Sequence, residues 1–168
     1  MIDPKILLDF IKARRSIRAF QDKLIPEKEI EMILEAGQWA PSASNRQPWE
    51  FIVIKNKDVL KKIAKATGYG WFIAEASFAI AIVGKSRISG KWYVIDTSLV
   101  SMNMMLMAWS LGIGTCWIGS MNKGKAKQIL GLNANDDLLT VLPFGYILGD
   151  IPEPTDRKPL NKIIKEVQ

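Results

Sequence analysis

Histidine is absent from the 168 residues of this chain, and cysteine occurs once, at position 116. Without an imidazole, the chain cannot build a Ser-His-Asp triad, a Cys-His pair or a histidine proton shuttle. One thiol is also too few for a structural zinc site, which takes four Cys or His ligands, so no metal site is expected. A single cysteine cannot form an internal disulfide, and nothing in the sequence therefore indicates an oxidising compartment.

Long uninterrupted apolar runs are scarce as well. Between Thr97 and Asn122 no residue carries a formal charge, but serines, an asparagine and glycines break the segment. A membrane-spanning helix needs about 20 mostly apolar residues in one run, so we interpret the segment as a buried helix followed by a glycine-rich strand. The N-terminal stretch MIDPKILLDFIKARRS has acidic residues inside its apolar part, unlike a signal peptide. These features predict a cytoplasmic protein with no membrane partner.

The charge balance is moderately basic. Lys and Arg number 23 against 17 Asp and Glu, which gives a formal net charge of +6 at pH 7. This excess fits an anionic partner, either a nucleic acid or a phosphorylated small molecule, and it equally fits a solvated lysine-rich surface. With 48% hydrophobic and 24% charged residues, the composition is typical of a globular domain. No repeat, low-complexity run or linker divides the chain, so residues 1–168 are expected to form a single domain.

Hydrophobic periodicity and capping residues predict an alternation of helices and strands. The expected helices begin at Pro4 and Pro26 and span 58–66, 93–111 and 123–130, and the expected strands span 49–55, 78–84, 112–118 and 138–148. The continuous apolar run 78–84 is typical of a central strand buried on both faces. The proline-rich end, about 150–168, is expected to be an extended arm with a short helix after Pro159. This order indicates an α+β or α/β fold with helices packed on a small sheet.

The predicted helix 93–111 is apolar on every side and is rich in methionine between positions 102 and 107. Unbranched thioethers most often fill irregular gaps in a core, and a helix without a polar face must be buried all round. In a chain of this size, a subunit interface provides such burial most easily. The sequence therefore predicts an obligate homodimer.

The turn 14–18 is the first candidate for ligand binding. In an extended turn, Arg14, Ser16 and Arg18 point to one side at a period of two. Two guanidiniums and a hydroxyl can hold a dianionic phosphate through charge-assisted hydrogen bonds. The alternative is a basic helix end that faces water.

The loop Pro41–Trp49 is the second candidate. Its small residues allow close approach of the backbone to a ligand, and Asn45 and Gln47 offer both hydrogen-bond donors and acceptors. Such a loop suits the edge of a heterocycle that carries C=O and N–H groups. The alternative is a polar turn ahead of a strand.

Four segments together resemble the nitroreductase family of FMN-dependent oxidoreductases: RRSIRAF (14–20), APSASNRQPWEF (40–51), LGIGTCWIGSM (111–121) and RKPL (157–160). Their order and spacing are similar over almost the whole chain, and four ordered segments are far more specific than any one of them. The resemblance implies an α+β fold with helices around a small central mixed sheet. It also implies an intertwined homodimer that holds FMN in clefts between the subunits.

The resemblance assigns roles position by position. The phosphate and flavin-edge contacts are expected from Arg14, Arg15, Ser16 and Arg18, with a second phosphate ligand from the arm, either Arg157 or Lys158. The loop that reaches the flavin from the other subunit is expected to use Pro41, Ser42, Ala43, Asn45 and Gln47. The backbone of Trp117, Ile118 and Gly119 is expected near the isoalloxazine ring, where glycine permits close approach.

The implied reaction passes a hydride from NADH or NADPH through FMN to an electron-poor acceptor, such as a nitroaromatic or a quinone, by a ping-pong mechanism. Because a flavin carries this chemistry itself, no catalytic side chain is required, and the absence of histidine is consistent with it. The region between Ile54 and Tyr93 is short, which leaves little room for lid helices. Aromatic residues at 68–72 either stack on a substrate or anchor the core.

Several alternatives remain open at this point. Reductive dehalogenation and flavin-consuming chemistry occur in the same superfamily, but both normally need dedicated lid residues. A flavin carrier or sensor without turnover is a further possibility. A nucleic-acid binder is disfavoured because aromatic residues are not interleaved with the lysines at 55–65, as a stacking platform requires.

Overall fold

Helices and strands alternate along residues 2–167, the part of the chain that the computed structural model describes. The helices are α1 (Pro4–Ala13), α2 (Glu27–Gln38), α3 (Lys57–Ala64), α4 (Ser86–Ser89), α5 (Tyr93–Ser110) and α6 (Lys123–Leu130). The strands are β1 (Trp49–Ile54), β2 (Phe78–Gly84), β3 (Ile113–Thr115) and β4 (Asp137–Tyr146). Single 3-10 turns span Ala43–Asn45, Trp71–Glu75, Gly90–Trp92 and Leu160–Lys162. The α+β class is confirmed.

The four strands form one sheet in the order β1-β2-β4-β3. Every residue of β2 is buried, and this strand pairs with β1 on one side and β4 on the other, as its apolar run predicted. The implied mixed sheet is corrected to an antiparallel one, because each strand runs opposite to its neighbours. The connection from β1 through α3 and the turn at 71–75 returns the chain to the end of the sheet where β1 finished. β2 starts at that end and therefore runs antiparallel to β1. Parallel pairing within residues 2–167 is confined to a bridge between Ser16 and Thr115.

Two apolar layers cover the faces of the sheet. On one face, α2 and α5 pack over the rings of Phe78 and Phe144, which stack with their centroids 4.9 Å apart. On the other face, residues of α3, α6 and the turn at 71–75 pack against the alternate side chains of β2. Pro4 occupies the first position of α1, and the Asp3 carboxylate accepts from the backbone N–H groups of Lys5 and Ile6, as expected of an N-cap.

Two helices keep apolar surface exposed within one protomer. α1 has no buried residue, and its exposed apolar side chains include Ile6, Leu7, Leu8 and Ile11. α5 buries one face against the sheet but leaves Val94, Ile95, Leu99 and Met102 exposed on another. Within the described residues, no helix has the length and apolar character needed to cross a bilayer. Both helices therefore present surfaces that the protomer itself does not cover.

The segment between α1 and α2 lies against the edge of the sheet. Its Ile17 N–H donates to the Thr115 carbonyl at 3.0 Å. A Cβ atom on Gly114 would lie 2.6 Å from the side chain of Ile17, and one on Gly145 would lie 2.7 Å from that of Phe20. Glycine at these two positions therefore permits the close approach that fixes the segment beside β3 and β4.

The C-terminal arm has no regular structure between β4 and residue 159. The short terminal helix expected after Pro159 is a single 3-10 turn, Leu160–Lys162. The apolar residues Leu160, Ile163 and Ile164 are exposed, so the protomer offers no surface on which a longer amphipathic helix would be stabilised.

Candidate functional site

The side chains of the basic turn converge on the single thiol of the chain, which directly follows β3. Burial raises the pKa of the Cys116 thiol, whereas the Arg18 guanidinium, the Ser16 hydroxyl and the Arg14 guanidinium beside it act to lower that pKa. The thiol also donates to the Trp117 carbonyl, with Sγ and O 3.7 Å apart. Arg14, Ser16 and Arg18 therefore all lie near Cys116.

Arg15 points in a different direction and holds backbone. Its Nε donates to the carbonyl of Pro152 at 3.0 Å, and its Nη1 donates to the carbonyls of Lys12 at 2.6 Å and Arg14 at 2.9 Å. These bonds fasten the C-terminal arm to the end of α1. The resemblance assigned Arg15 to the phosphate and flavin-edge contacts; in the protomer its Nε and Nη1 hold backbone carbonyls while the residue also lines a cleft with Arg14, and its ligand role stays a prediction.

A cleft of about 900 Å³ lies between the end of α1, α5 and the arm. We call it the arginine cleft, because Arg14, Arg15 and Arg157 line it together with Lys12, against one carboxylate, Asp9. Within residues 2–167, none of the three arginines belongs to an ion pair. Unneutralised positive charge in a concave site favours an anionic ligand.

The positively charged guanidiniums of the arginine cleft repel one another. Burial lowers the pKa of Arg14; Cys116 opposes this change, and the nearby charges of Arg15 and Arg157 lower the pKa further. Arg14 and Arg157 are thus neighbours, although 142 intervening residues separate them in the sequence. An anion bound between them would relieve this repulsion.

Of the two candidates on the arm, one lines the arginine cleft. Arg157 does so, with its Nη1 donating to the Thr155 carbonyl at 2.9 Å and to the Thr155 hydroxyl at 2.6 Å. Lys158 is exposed and is not among the residues that line the cleft. Arg18 does not line the cleft either. Its guanidinium and that of Arg14 both lie near Cys116.

The loop 41–47 lines a separate cavity of about 400 Å³, formed with the end of α2. Pro41, Asn45 and Gln47 line this cavity, while Ser42 closes the loop by accepting from the Gln47 N–H at 3.0 Å. Within one protomer, the structure therefore does not bring the loop and the arginine cleft together. The resemblance assigned the two segments to different subunits.

The same loop carries unusual backbone angles. Ser44, Asn45 and Gln47 have φ values of 52°, 53° and 49°. These values lie in the left-handed region, which glycine adopts readily and other residues adopt uncommonly, Asn more often than most. Such conformations each cost on the order of 1–3 kcal/mol and persist only where the surroundings enforce them. Non-glycine residues in this region concentrate in functional loops.

Asp96 is the residue that holds the loop. Its side chain is buried in the first turn of α5, with a residue exposure of 3%. One carboxylate oxygen accepts from the Ala43 N–H at 3.0 Å, and the other accepts from the buried Ser89 hydroxyl at 2.9 Å. Asp96 falls inside the helix predicted at 93–111, and the sequence motifs assigned it no role. The sequence feature that could have identified it is a single acidic residue in an otherwise uncharged helix. A carboxylate in such a helix tends to be buried, and a buried carboxylate is unfavourable unless it makes hydrogen bonds.

The stretch after β3 presents backbone at the surface. Ile118 is buried and its carbonyl accepts from the Thr140 hydroxyl at 3.0 Å, whereas Trp117 is partly exposed. A Cβ atom on Gly119 would meet nothing closer than the Trp117 ring at 3.9 Å. The backbone at Gly119 therefore stays open to a flat ligand, while its neighbour anchors it to β4.

Comparison with known proteins places these features in a family. The model described as Nitroreductase family matches residues 11–82 and 67–146. The chain belongs to the nitroreductase family. A Methanothermobacter thermautotrophicus protein, provisionally named as an NADH dehydrogenase/NAD(P)H nitroreductase, is 42% identical over 156 residues, covering 86% of this chain and 81% of the relative. A protein of Archaeoglobus fulgidus with the same provisional name is 37% identical over 146 residues, covering 83% of this chain and 84% of the relative.

Solved nitroreductases share the fold. The crystal structure of a provisionally named nitroreductase from Desulfovibrio desulfuricans in complex with FMN is similar with a TM-score of 0.88 and 27% identity. The match covers 100% of this chain and 99% of that chain. The nitroreductase fold expected from the resemblance is confirmed over the whole length.

We expect Asp96→Asn to lower the free energy of unfolding by about 1–3 kcal/mol, because a neutral amide replaces a carboxylate that accepts two charge-assisted hydrogen bonds. The bond from the Ala43 N–H weakens, the Ser89 hydroxyl has to turn and accept from the amide nitrogen, and amide hydrogen exchange at residues 42–47 accelerates. Urea unfolding and hydrogen exchange measure the two effects. Asp22→Asn, at an exposed position, serves as control; equal exchange in both variants would contradict the role of Asp96.

Proposed function

We propose that the chain is an FMN-dependent oxidoreductase that transfers a hydride from NADH or NADPH to an electron-poor small molecule, such as a nitroaromatic or a quinone. The observation that carries the proposal is the arginine cleft, where Arg14 and Arg157 face each other without an acidic partner among the described residues. A phosphate monoester is the kind of anion that such a guanidinium pair binds best. FMN carries one, and the Desulfovibrio relative is a complex with FMN.

The residues present suit the two ends of FMN, with positive charge for its phosphate and open backbone for its flat ring. Arg14 and Arg157 would hold the phosphate, and the open backbone at Gly119 would face the ring system. Ser16 and Arg18, gathered around Cys116, would lie at the flavin edge beyond Arg14. Bound FMN would supply the hydride chemistry, so the chain needs no general acid or base of its own.

The nicotinamide donor and the electron acceptor would enter the flavin site through the same opening, one after the other. The segment between β1 and α5 consists of α3, β2, α4 and short turns, and it contributes no long helix that would cover the site. With the ring of FMN accessible from one side, the oxidised nicotinamide must leave before the acceptor enters, which gives ping-pong kinetics. An open site of this kind accepts flat, electron-poor molecules of varied shape.

The cofactor site would be completed by a second copy of the chain. The exposed apolar faces of α1 and α5 flank an apolar groove of about 580 Å³, lined among others by Leu7, Phe10, Trp39 and Met107. Exposed apolar surface on two adjacent helices is typical of an interface that stays buried in an oligomer. A homodimer would cover these faces and bring the loop 41–47 of one subunit towards the arginine cleft of the other.

The direct test is the colour of the protein. We expect the purified chain to be yellow with FMN, to be bleached by NADH or NADPH under anaerobic stopped-flow mixing, and to be reoxidised by a nitroaromatic or a quinone. Steady-state rates at several donor concentrations should give parallel lines in double-reciprocal plots. Yellow protein that neither nicotinamide reduces would indicate a flavin carrier, and colourless protein that binds DNA with a steep salt dependence would indicate a nucleic-acid binder.

Arg157→Ala should raise the dissociation constant for FMN about 10- to 100-fold, because it removes charge-assisted hydrogen bonds worth roughly 1.5–3 kcal/mol. Lys158→Ala is the matched control, since it removes a neighbouring charge that does not line the arginine cleft. Fluorescence titration of each apoprotein with FMN measures both constants. The phosphate role of Arg157 is wrong if the two variants bind FMN equally well.

The dimer should be visible by sedimentation equilibrium at micromolar concentration. Leu99→Asp places a charge on the exposed face of α5 and should shift the chain towards monomer, because burying an unpaired charge in the interface is unfavourable. Leu24→Asp is the control, at an exposed apolar position outside both helices. A wild-type chain that remains monomeric would refute the interface.

A further inference from the structure

A short ladder outside the main sheet joins the turn after α3 to the stretch that precedes α6. Thr67 and Met121 form an antiparallel bridge, flanked by hydrogen bonds from the Gly68 N–H to the Ser120 carbonyl at 3.3 Å and from the Asn122 N–H to the Ala66 carbonyl at 2.7 Å. The pairing thus covers residues 66–68 and 120–122. It ties an exposed turn to the stretch that begins at Gly119.

The turn in this ladder is held firmly. The Thr67 hydroxyl donates to the Ala64 carbonyl at 2.7 Å and accepts from the Gly70 N–H at 2.9 Å. Phe72 is buried just beyond it, with its ring 6.3 Å from that of Phe20. Side chains that project from this turn are therefore positioned by the core, not by a loose loop.

One end of the ladder carries an unneutralised pair of lysines. Lys65 and Lys123 each lie one residue beyond the paired segments, at the same end because the pairing is antiparallel. Both side chains are exposed, and neither has an acidic partner within residues 2–167. Lys65 ends α3 and Lys123 begins α6, and these two helices are in contact. Their like charges repel each other, so an anion at this end would be bound favourably.

The opposite end of the ladder faces the proposed position of the flavin ring. Gly119 lies there on one strand and Tyr69, with 83% of its surface exposed, on the other. In an extended chain, the four steps from Gly119 to Lys123 span roughly 13 Å. A dinucleotide places its diphosphate one ribose away from the nicotinamide ring, a separation of the same order.

We propose that Lys65 and Lys123 form a subsite for the diphosphate of the nicotinamide donor, with Tyr69 beside the ring end of the same ladder. The inference rests on the proposed function, because it takes the flavin ring to lie near Gly119. Bound in this way, the donor would be oriented by its phosphates, while an acceptor without phosphates would use the ring end alone. The subsite would distinguish donor from acceptor within one opening.

The test compares donors with and without phosphates on the FMN-loaded protein. In Lys65→Gln/Lys123→Gln, the ratio of the KM for NADH to the KM for N-benzyl-1,4-dihydronicotinamide should rise roughly tenfold, the size expected for lost charge-assisted contacts. The dependence of the NADH KM on ionic strength should weaken as well, since fewer charges remain to be screened. Lys28→Gln, which removes an exposed lysine of α2 on the opposite face of the sheet from α3, is the matched control.

Calorimetric titration with ADP-ribose tests the lysine subsite separately from the proposed oxidoreductase activity, because this probe has the diphosphate but no nicotinamide. We expect binding to the FMN-loaded wild type and a roughly tenfold loss of affinity in the double variant. Equal ADP-ribose affinity in wild type and double variant would overturn the subsite, as would an equal loss in Lys28→Gln. Failure of both NADH and NADPH to reduce the wild type would overturn the proposed function instead.

Discussion

The arrangement of the site depends on bringing positive charge from the two ends of the chain into one cleft. Repulsion between Arg14 and Arg157 opposes this, and the burial of Arg14 adds to the penalty. The bond from Arg15 to the Pro152 carbonyl counters it by tying the arm to the end of α1. An arm without regular structure can thereby hold a guanidinium in a defined place, and the cleft is prepared for an anion before any ligand arrives.

A second constraint operates at the loop 41–47. Left-handed backbone at three non-glycine residues and a buried carboxylate are both unfavourable by themselves. They are found together because Asp96 provides the acceptor that the Ala43 N–H requires. The second bond, to Ser89, couples the loop to the 3-10 and helical turns that precede α5. The loop is consequently a rigid element, suited to read the edge of a ligand.

The protomer leaves its functional parts separate and its apolar helices uncovered. The loop and the arginine cleft line different cavities, and α1 buries none of its side chains. Both facts have the same explanation if a second copy completes the structure: apolar helices drive association, and association assembles the site. In that arrangement, cofactor binding and dimer formation stabilise each other, since a ligand that contacts both subunits favours the associated state.

The sequence by itself determined the elements whose signals are local. The apolar run of β2 and the helix α6 were predicted to the residue. Short-range periodicity and capping chemistry control these features, so they can be read from neighbouring residues. The family was also predicted correctly, from four motifs in the expected order.

Only the tertiary structure decided how distant residues meet. It showed that Arg157 lines the arginine cleft whereas Lys158 does not, that Arg15 donates to the Pro152 carbonyl of the arm, and that Asp96 lies beneath the loop. It also made the sheet antiparallel throughout its four strands. These outcomes follow from which backbone donors and acceptors remain free once the core has closed, and that depends on contacts between residues far apart in the chain.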